Sequence, residues 1–508
     1  MALLVYILAL SAVALYAPDT LWHPAATEFI LVIGVVGVWR YGWGGIHFLR
    51  ALLYRHAVFP DWRRRADRLA VRFAEAETPT SDPEISPAPQ LFVVVTSYRI
   101  PAETTVAVYR SLIEEAERWP GKVTIVASLV EPADERLLKL LFRRLRPADR
   151  VRLVLQRLPA RGKRDALAAG LRAVARRMPR PDDVVVVMDG DTLLAPHTFA
   201  RCVPFFDLFP RVGGLTTDED ALVQRAPVYA QWHALRFAQR HLLYSSLGLS
   251  RRLLAMTGRM SMFRASVAIH PEFIGIIQQD YIDHWRLGRI RFLTGEDKST
   301  WLWLLERGFD MLYVPDVRVF TIEQPPARSF LVGSTQLMLR WFGNMLRGSG
   351  RAIELGPRRI GLFLWWCLID QRLSMWTPLV GPLAAVMIAL SVSPSFLWTY
   401  LLWVMLTRLL LVLGLLSVRP RVGGLWPLLL YYNQVYGALV KIFVLFRLDR
   451  QRWTRQNITL PAPHLADRWR RLSSTFAHGL ALAGLATAVA FATGLLAWPQ
   501  HLTLSIPS

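Results

Sequence analysis

Apolar and polar positions fall into three regimes along the chain. At the start, residues 3–17 and 29–48 are nearly unbroken apolar runs, of a length that crosses a hydrocarbon layer or comes close to it. From residue 91 the runs shorten and alternate with amphipathic stretches. Apolar 91–95 is followed by helical spacing over 103–118, apolar 123–126, a further helix, and apolar 151–155 and 184–188. Short β-branched runs predict strands buried on both faces, and their alternation with helices predicts a mainly parallel sheet flanked by helices. Beyond residue 194 the pattern is longer and more helical. The stretch 327–347 is amphipathic and basic, as a helix lying at a membrane surface would be. Apolar blocks return after Ile360, where 375–390, 396–416 and 479–497 predict crossings.

Charge orients these blocks. Residues 18–28 contain no Lys or Arg, whereas arginines crowd the chain from Arg50 to Arg72, which places the side following the second run in the cytoplasm. The block 426–446 is long enough to cross but carries Pro427, Asn433, Gln434 and Lys441. A crossing there would put the basic stretch 447–471 outside, so the expectation is an interfacial or re-entrant segment over 425–473. The start of the chain has neither a basic n-region nor a convincing cleavage site and is read as a retained helix. The resulting division is a membrane hairpin over 1–56, a basic segment and linker over 57–89, a cytoplasmic α/β domain over 90–325, interface helices over 326–358, and a membrane region over 359–508.

Composition changes this picture in two places. Lys plus Arg number 60 against 38 Asp plus Glu, a net +22, and most of the excess lies beside apolar segments. No recognition helix, finger or aromatic-basic sheet signature accompanies it, so an anionic lipid surface or polymer fits better than nucleic acid. Cys202 and Cys367 stand apart from each other, which gives neither a disulfide framework nor a zinc site.

The candidate chemistry begins where the run 184–188 stops, at Asp189-Gly190-Asp191. Glycine lets the backbone turn sharply, so two carboxylates can face the crevice beyond the strand's carboxyl end. Hard oxygen ligands there suit Mg²⁺ or Mn²⁺ shared with substrate phosphates. An ordinary Asp-Gly turn has the same sequence, and the motif alone leaves both readings open. The acidic stretch Thr216-Thr217-Asp218-Glu219-Asp220 is expected to be a solvated loop rather than a second metal site.

An initial strand with Tyr98, then Gly162-Lys163-Arg164, Asp189-Gly190-Asp191, Gly295-Glu296-Asp297, Arg340-Trp341 and Trp453-Thr454-Arg455 occur in that order. Together they resemble the processive family-2 glycosyltransferases, the membrane synthases of hyaluronan, cellulose, chitin and alginate, over residues 91–456. The stretches Gly343-Asn344-Met345-Leu346-Arg347 and Asp370-Gln371-Arg372-Leu373-Ser374-Met375-Trp376 are most similar to the alginate (mannuronan) synthase catalytic subunits. The resemblance implies an α/β GT-A domain embedded in a helical membrane domain of the bacterial inner membrane. Such an enzyme polymerises a nucleotide sugar into a β-linked exopolysaccharide and extrudes it. In the alginate subgroup it makes polymannuronate from GDP-mannuronate.

By the same resemblance Asp189 and Asp191 hold Mg²⁺ or Mn²⁺, and Asp297 is the base that takes the acceptor's proton. Glu296 shapes the acceptor pocket or raises the base's pKa through like charge. Lys163, Arg340 and Arg455 stabilise the leaving diphosphate. Tyr98, Glu131, Gln336, Trp341, Trp453 and Thr454 complete the nucleotide-sugar site, with Gly258 and Arg259 on the acceptor side. The implied partners are the donor, a growing anionic polysaccharide, membrane lipid and a cyclic di-GMP-binding co-polymerase subunit, since no cyclic di-GMP-binding domain is visible in this chain.

Two departures from the family pattern stand out. The acidic pair that usually follows the second strand is replaced by Val126-Ala127-Ser128-Leu129-Val130-Glu131-Pro132-Ala133-Asp134, which leaves Glu131 or Asp134 for the nucleotide base. The Gln-x-x-Arg-Trp spacing is stretched by one residue, from Gln336 to Arg340, which on a helix still keeps both on one face. Taken singly, each motif has a plainer reading. Gly-Glu-Asp can be a helix N-terminus, Arg340 and Arg455 membrane-surface arginines, and Trp341 and Trp453 interface anchors. Competing functions are a hyaluronan- or cellulose-like synthase using UDP-sugars, a lipid-linked sugar transferase, and a non-enzymatic transport or scaffold subunit. Arg-Trp with Trp-Thr-Arg weighs against the second, and the intact set Asp189, Asp191 and Asp297 against the third.

Overall fold

Val184–Asp189 (β4) lies in the middle of an eight-stranded sheet, hydrogen-bonded on one side to Leu91–Thr96 (β1) and on the other to Met260–Arg264 (β7). The computed structural model describes residues 2–16, 27–75, 88–224, 226–451 and 465–496. Outward from β1 run Val123–Leu129 (β2) and Val151–Arg157 (β3), and outward from β7 run Val212–Val223 (β6), Asp310–Glu323 (β10) and Thr192–Leu193 (β5). Pairings β1–β2, β2–β3, β1–β4 and β6–β10 are parallel, while β7 and β5 run against their neighbours. The mainly parallel sheet expected from the runs at 91, 123, 151 and 184 is therefore present. Its central strands are buried along nearly their whole length, as both-face apolar runs require.

The sheet must also curl. Asp189 ends β4 and Thr192 starts β5, so two residues and three peptide links separate them, a reach of at most about 11 Å. In sheet order β5 lies four strands from β4, about 19 Å in a flat sheet. Only a curled sheet lets the chain step from one to the other through Gly190 and Asp191. The step is pinned by Gly190 N–H donating to Thr96 O at 3.0 Å and Ile322 N–H donating to Asp191 O at 2.9 Å. A Cβ at Gly190 would collide with Ser97 and lie 3.0 Å from the Thr96 carbonyl oxygen, so glycine is required by this close approach.

The chain divides into two compact units, one built from Phe48–Leu368 with Leu448–Leu460, the other from Met1–His47, Ile369–Arg447 and Pro461–Ser508. In the first, the arginine-rich stretch after residue 50 forms the helix Phe59–Glu75. Its aromatic side packs on Phe205 and Phe209, and Arg63 forms an ion pair with Asp316 at 2.6 Å. The amphipathic stretch expected over 327–347 is the helix Phe330–Glu354.

The second unit holds most of Leu362–Ser391 and all of Phe396–Ser417, Trp426–Leu445 and Arg468–Ala492, which are long and apolar enough to cross a membrane, with Ala2–Leu15 shorter. Met375, Leu379, Ala438 and Ile442 form a core against which Leu482 and Leu485 pack. Trp426–Leu445 is one uninterrupted helix, because Pro427 sits in its first turn, where a missing N–H costs nothing. Asp370 and Arg408 on these helices find partners, which lowers the cost of a charge in an apolar surrounding. Asp370 accepts from Arg40 at 2.8 Å and from the Trp39 indole at 3.1 Å, and Arg408 donates to Tyr41 at 3.1 Å.

One sequence expectation is corrected here. Thr216-Thr217-Asp218-Glu219-Asp220 is not a solvated loop but the middle of β6, with residues 216–219 buried. The carboxylates survive burial because cations meet them. Asp218 pairs with Arg318 at 2.9 Å and His241 at 3.0 Å, and Glu219 with Arg259 at 3.2 Å and Arg240 at 3.4 Å.

Candidate active site

The carboxyl ends of β1, β2 and β4 lie side by side, and of the sequence-predicted residues Lys163, Asp189, Gly258, Glu296 and Asp297 meet beside the end of β4. Gly162 precedes the helix Lys163–Ala175, so Lys163 is its first residue. Its ammonium forms ion pairs with Asp189, at 2.6 Å, and with Glu296. Glu296 and Asp297 open the helix Glu296–Glu306 after Gly295, whose φ of +87° is the left-handed turn that glycine tolerates. Gly258 closes the cluster. A Cβ there would lie 2.9 Å from Lys163 Nζ, 3.3 Å from Glu296 Oε1 and 3.4 Å from Asp189 Oδ2. The missing side chain leaves a cradle bordered by one ammonium and two carboxylates.

Electrostatics separate the carboxylates. Burial alone would raise the Glu296 carboxyl, but Lys163 and Arg164 outweigh it and hold it at about 2. Burial raises the Asp297 carboxyl, and the Glu296 charge beside it raises it further. Burial also raises Asp189, against the pull of Lys163. For Lys163 burial acts downward, and its two carboxylate partners more than offset it, so it stays charged.

The donor set fits a divalent ion shared with a substrate. Asp189 and Asp191 supply hard oxygens at the strand end, and the Gly258 cradle lies against Asp189 Oδ2. Among the described residues no group of three or more His, Cys, Asp or Glu is placed to enclose a metal by itself. Phosphate oxygens completing the shell is the pattern expected of Mg²⁺ or Mn²⁺.

The other expected residues are spread over several elements. Arg259 lies within electrostatic reach of Asp191 and pairs with Glu323 at 2.8 Å. Arg340 and Trp341 sit on the helix Phe330–Glu354, where Trp341 stacks on Trp232 with ring centroids 5.5 Å apart. Gln336, one turn earlier, is exposed, while Arg340 is half-buried. Tyr98 is half-buried two residues past β1. Glu131 is exposed immediately before the helix Pro132–Leu145, and Asp134 lies in its first turn. Trp453, Thr454 and Arg455 lie outside the described residues.

Sequence reasoning passed over the residues that hold the acidic loop in place. Arg164, next to Lys163, is buried and donates to the carbonyls of Ile276, Ile277 and Thr294 and to Ser299 Oγ. Asp280 receives both Arg351 nitrogens at 2.8 and 2.9 Å, and Ser299 donates to it as well. Asn344 accepts from Thr294 Oγ1 at 2.9 Å, behind Gly295, and from Arg347 at 2.7 Å. The only signal for this scaffold was the arginine inside Gly-Lys-Arg and the unexplained stretch 343–347.

A curled, mainly parallel sheet with an Asp-Gly-Asp at its central strand end defines a GT-A glycosyltransferase. A sequence model described as glycosyltransferase like family 2 matches residues 88–344, and the chain belongs to that family. Two relatives, each named Glycosyltransferase alg8, are each 45% identical to it. That from Pseudomonas syringae pv. tomato matches over 94% of this chain and 95% of its own, and that from Azotobacter vinelandii over 90% of each. Among solved structures, the mannosyltransferase PcManGT from Pyrobaculum calidifontis, in complex with GDP-Man and Mn²⁺, overlaps 82% of this chain and 98% of its own. At 16% identity and a TM-score of 0.44, that likeness is too loose to say anything of the chemistry.

Proposed function

We propose that this glycosyltransferase is the polymerising subunit of alginate synthesis. It adds mannuronate from GDP-mannuronate to a growing β-linked chain and passes the polymer across the bacterial inner membrane. The observation that carries the transferase reading is the convergence of Lys163, Asp189, Gly258 and Glu296 on one cradle. The choice of sugar is supported by the two relatives named Glycosyltransferase alg8, which match nearly end to end.

Asp189 and Asp191 would hold Mg²⁺ or Mn²⁺, which when bound offsets the charge of the leaving diphosphate. The acceptor hydroxyl oxygen bonds to the anomeric carbon as the bond from that carbon to the diphosphate breaks, its electron pair leaving with GDP. The hydroxyl proton passes to the Asp297 carboxylate, whose raised pKa brings it nearer the working pH. Glu296 stays ionised and supplies the like charge. Attack opposite the leaving group turns an α-linked donor into a β-linked product. Lys163 is placed to exchange its carboxylates for a phosphate, with Arg340 and Arg455 as further cations. Tyr98, Glu131, Gln336, Trp341, Trp453 and Thr454 would line the nucleotide sugar, and Gly258 and Arg259 the acceptor.

The sheet unit would face the cytoplasm, with membrane lipid, the anionic polymer and a cyclic di-GMP-binding co-polymerase subunit as partners. In inverted vesicles a Thr454→Cys variant should label from the cytoplasmic side alone, and periplasmic labelling would reverse that orientation. The function is tested by a turnover screen with GDP-mannuronate, UDP-glucose and UDP-GlcNAc in reconstituted membranes. Release of GDP with uronate polymer is expected. Turnover of a UDP-sugar in its place would overturn the choice of donor, and no turnover of any donor would restore the reading as a scaffold subunit.

A further inference from the structure

The helix Pro227–Gly248 brings Arg236 against the helix that carries Arg340 and Trp341. The Arg236 guanidinium lies 4.4 Å from the Trp341 ring centroid and 5.2 Å from that of Trp232. Its neighbours within electrostatic reach include Arg259 and His233, and His233 in turn feels Arg340 and Glu323. The glutamates of this cluster are already taken. Glu219 is shared by Arg240 and Arg259, and Glu323 binds Arg259. Among the described residues none of the ion pairs reaches Arg236. Burial lowers the His233 imidazole to about 4, which leaves it neutral at neutral pH. Beside the Asp-Gly-Asp strand end, Arg236 is therefore the arginine of this cluster whose contacts are aromatic faces alone.

Burying a charge without a counter-ion is costly. Arg236 is half-buried, and burial with the neighbouring Arg259 brings it down to about 10, so it keeps its proton at neutral pH and bears part of that cost. Stacking on indoles fixes the plane of a guanidinium and leaves its in-plane N–H edge directed outward, in the fork that accepts a carboxylate in two parallel hydrogen bonds. A purely structural arginine at this depth would close on a glutamate or on carbonyls, as Arg164, Arg259 and Arg351 do.

We infer that Arg236 is the carboxylate-recognising residue for a uronate unit of the acceptor, held on Trp341 and Trp232 so that an acidic sugar supplies its missing counter-ion. The inference rests on the proposed function, because it is that reading which brings a uronate carboxylate to this site. It assigns to Arg236 the discrimination between acidic and neutral sugars, distinct from the diphosphate contacts proposed for Lys163 and Arg340. A phosphate oxygen offers related chemistry, and the test separates the two.

The test uses the full chain in detergent or nanodiscs, with wild type, Arg236→Gln and Arg236→Lys. Binding of oligomannuronate, binding of size-matched neutral oligomannose, and binding of GDP with Mn²⁺ are measured for each, with thermal unfolding as a check on the fold. Arg236→Gln should weaken oligomannuronate about ten-fold or more, the loss expected of a charge-assisted bidentate pair. Neutral oligomannose and GDP should bind as in wild type. Arg236→Lys, which keeps the charge without the fork, should fall between. Loss of GDP affinity in step with oligomannuronate would make Arg236 a diphosphate cation and overturn the inference. So would equal binding of oligomannuronate by all three chains, or a wild-type chain that binds the neutral oligomer as well as the acidic one. GDP-mannuronate turnover by wild type is read separately. Its failure would strike the proposed function, whereas the Arg236 result comes from binding, which needs no turnover.

Discussion

Asp189-Gly190-Asp191 and Asp218-Glu219-Asp220 are acidic triplets on strands of the same sheet, and they end in opposite circumstances. Asp218 lies inside β6 directly opposite Arg318 of β10, and Glu219, facing the other way, meets Arg240 and Arg259. Each buried charge there has at least two partners, fixed by the register of two long strands or by a long helix. Asp189 lies at the end of β4, where the strand gives out, and its cation is a single lysine shared with Glu296. The Asp218 triplet is closed. The Asp189 triplet holds a replaceable partner at the mouth of a cradle. What separates a structural carboxylate from one available to a substrate is its place along the strand and the mobility of its cation, not the density of acid in the sequence.

Removing carboxylates at the open site should produce the largest effect, on turnover or metal-dependent binding and not on stability. Asp297→Asn should lower transfer by about 10²–10⁴-fold, the usual contribution of a positioned base, with the unfolding temperature unchanged. Asp191→Asn should abolish metal-dependent binding of GDP, read by titration with Mn²⁺. Unaltered Mn²⁺-dependent affinity would remove the distinction drawn for this triplet.

The closed triplet should respond in the other currency. Asp218→Ala leaves the buried His241 without its partner and the part-exposed Arg318 without its ion pair, and should cost about 1–3 kcal/mol of stability. It is read as a lower midpoint of thermal or denaturant unfolding and a smaller yield of folded protein. Whatever remains folded should keep its affinity for GDP with Mn²⁺. A normally stable Asp218→Ala that no longer binds GDP would mean that β6 belongs to the site after all.

Acidity should act at the open site too. The Asp297 carboxyl is raised by burial and by Glu296, so its proton returns while the pH is still above the ordinary aspartate range. A base works only when deprotonated. Turnover should therefore be full above that raised pKa and fall as the pH drops through it, approaching ten-fold per unit. Glu296, at about 2, stays charged across this range. Replacing it by Gln removes the like charge, so the acid limb of the Glu296→Gln profile should move to lower pH, and an unmoved limb would deny that coupling.

Much of this arrangement was legible in sequence, and what was not shares one cause. Strands β1, β2 and β4 were readable because burial on both faces writes an unbroken apolar run, and glycine beside charge marked the turns at 190 and 295. The β6 cluster was misread because its neutralising partners, His241 and Arg318, are remote in sequence and supplied by another helix and strand. Arg236 carried no signal for a related reason. A lone arginine on an amphipathic helix looks like surface until Trp341, from a distant helix, is seen beneath it. The Asp280–Arg351 pair was hidden in the same way. Local pattern records what a residue needs from solvent, and these residues are defined by what they receive from elsewhere in the chain.

The smallest expected effect is the most direct probe of the mobile cation. Gly258→Ala puts a methyl group 2.9 Å from Lys163 Nζ and a few tenths of an ångström further from Glu296 and Asp189. The crowded atom is the far end of a flexible side chain, so the lysine can rotate away, and neither fold nor net charge should change. The cost is the displaced ion pair, which is partly solvated, and an estimate of about 1 kcal/mol, or roughly five-fold in affinity, follows. Donor KM should rise by that factor with kcat nearly constant, since Asp297 is not moved. The same substitution beside a rigid partner would behave differently. Had Lys163 been fixed as Arg318 is, the methyl would have to strain the backbone, and the variant would lose stability instead of affinity. A Gly258→Ala protein that unfolds early with normal donor KM would thus show that the open site is as rigid as β6.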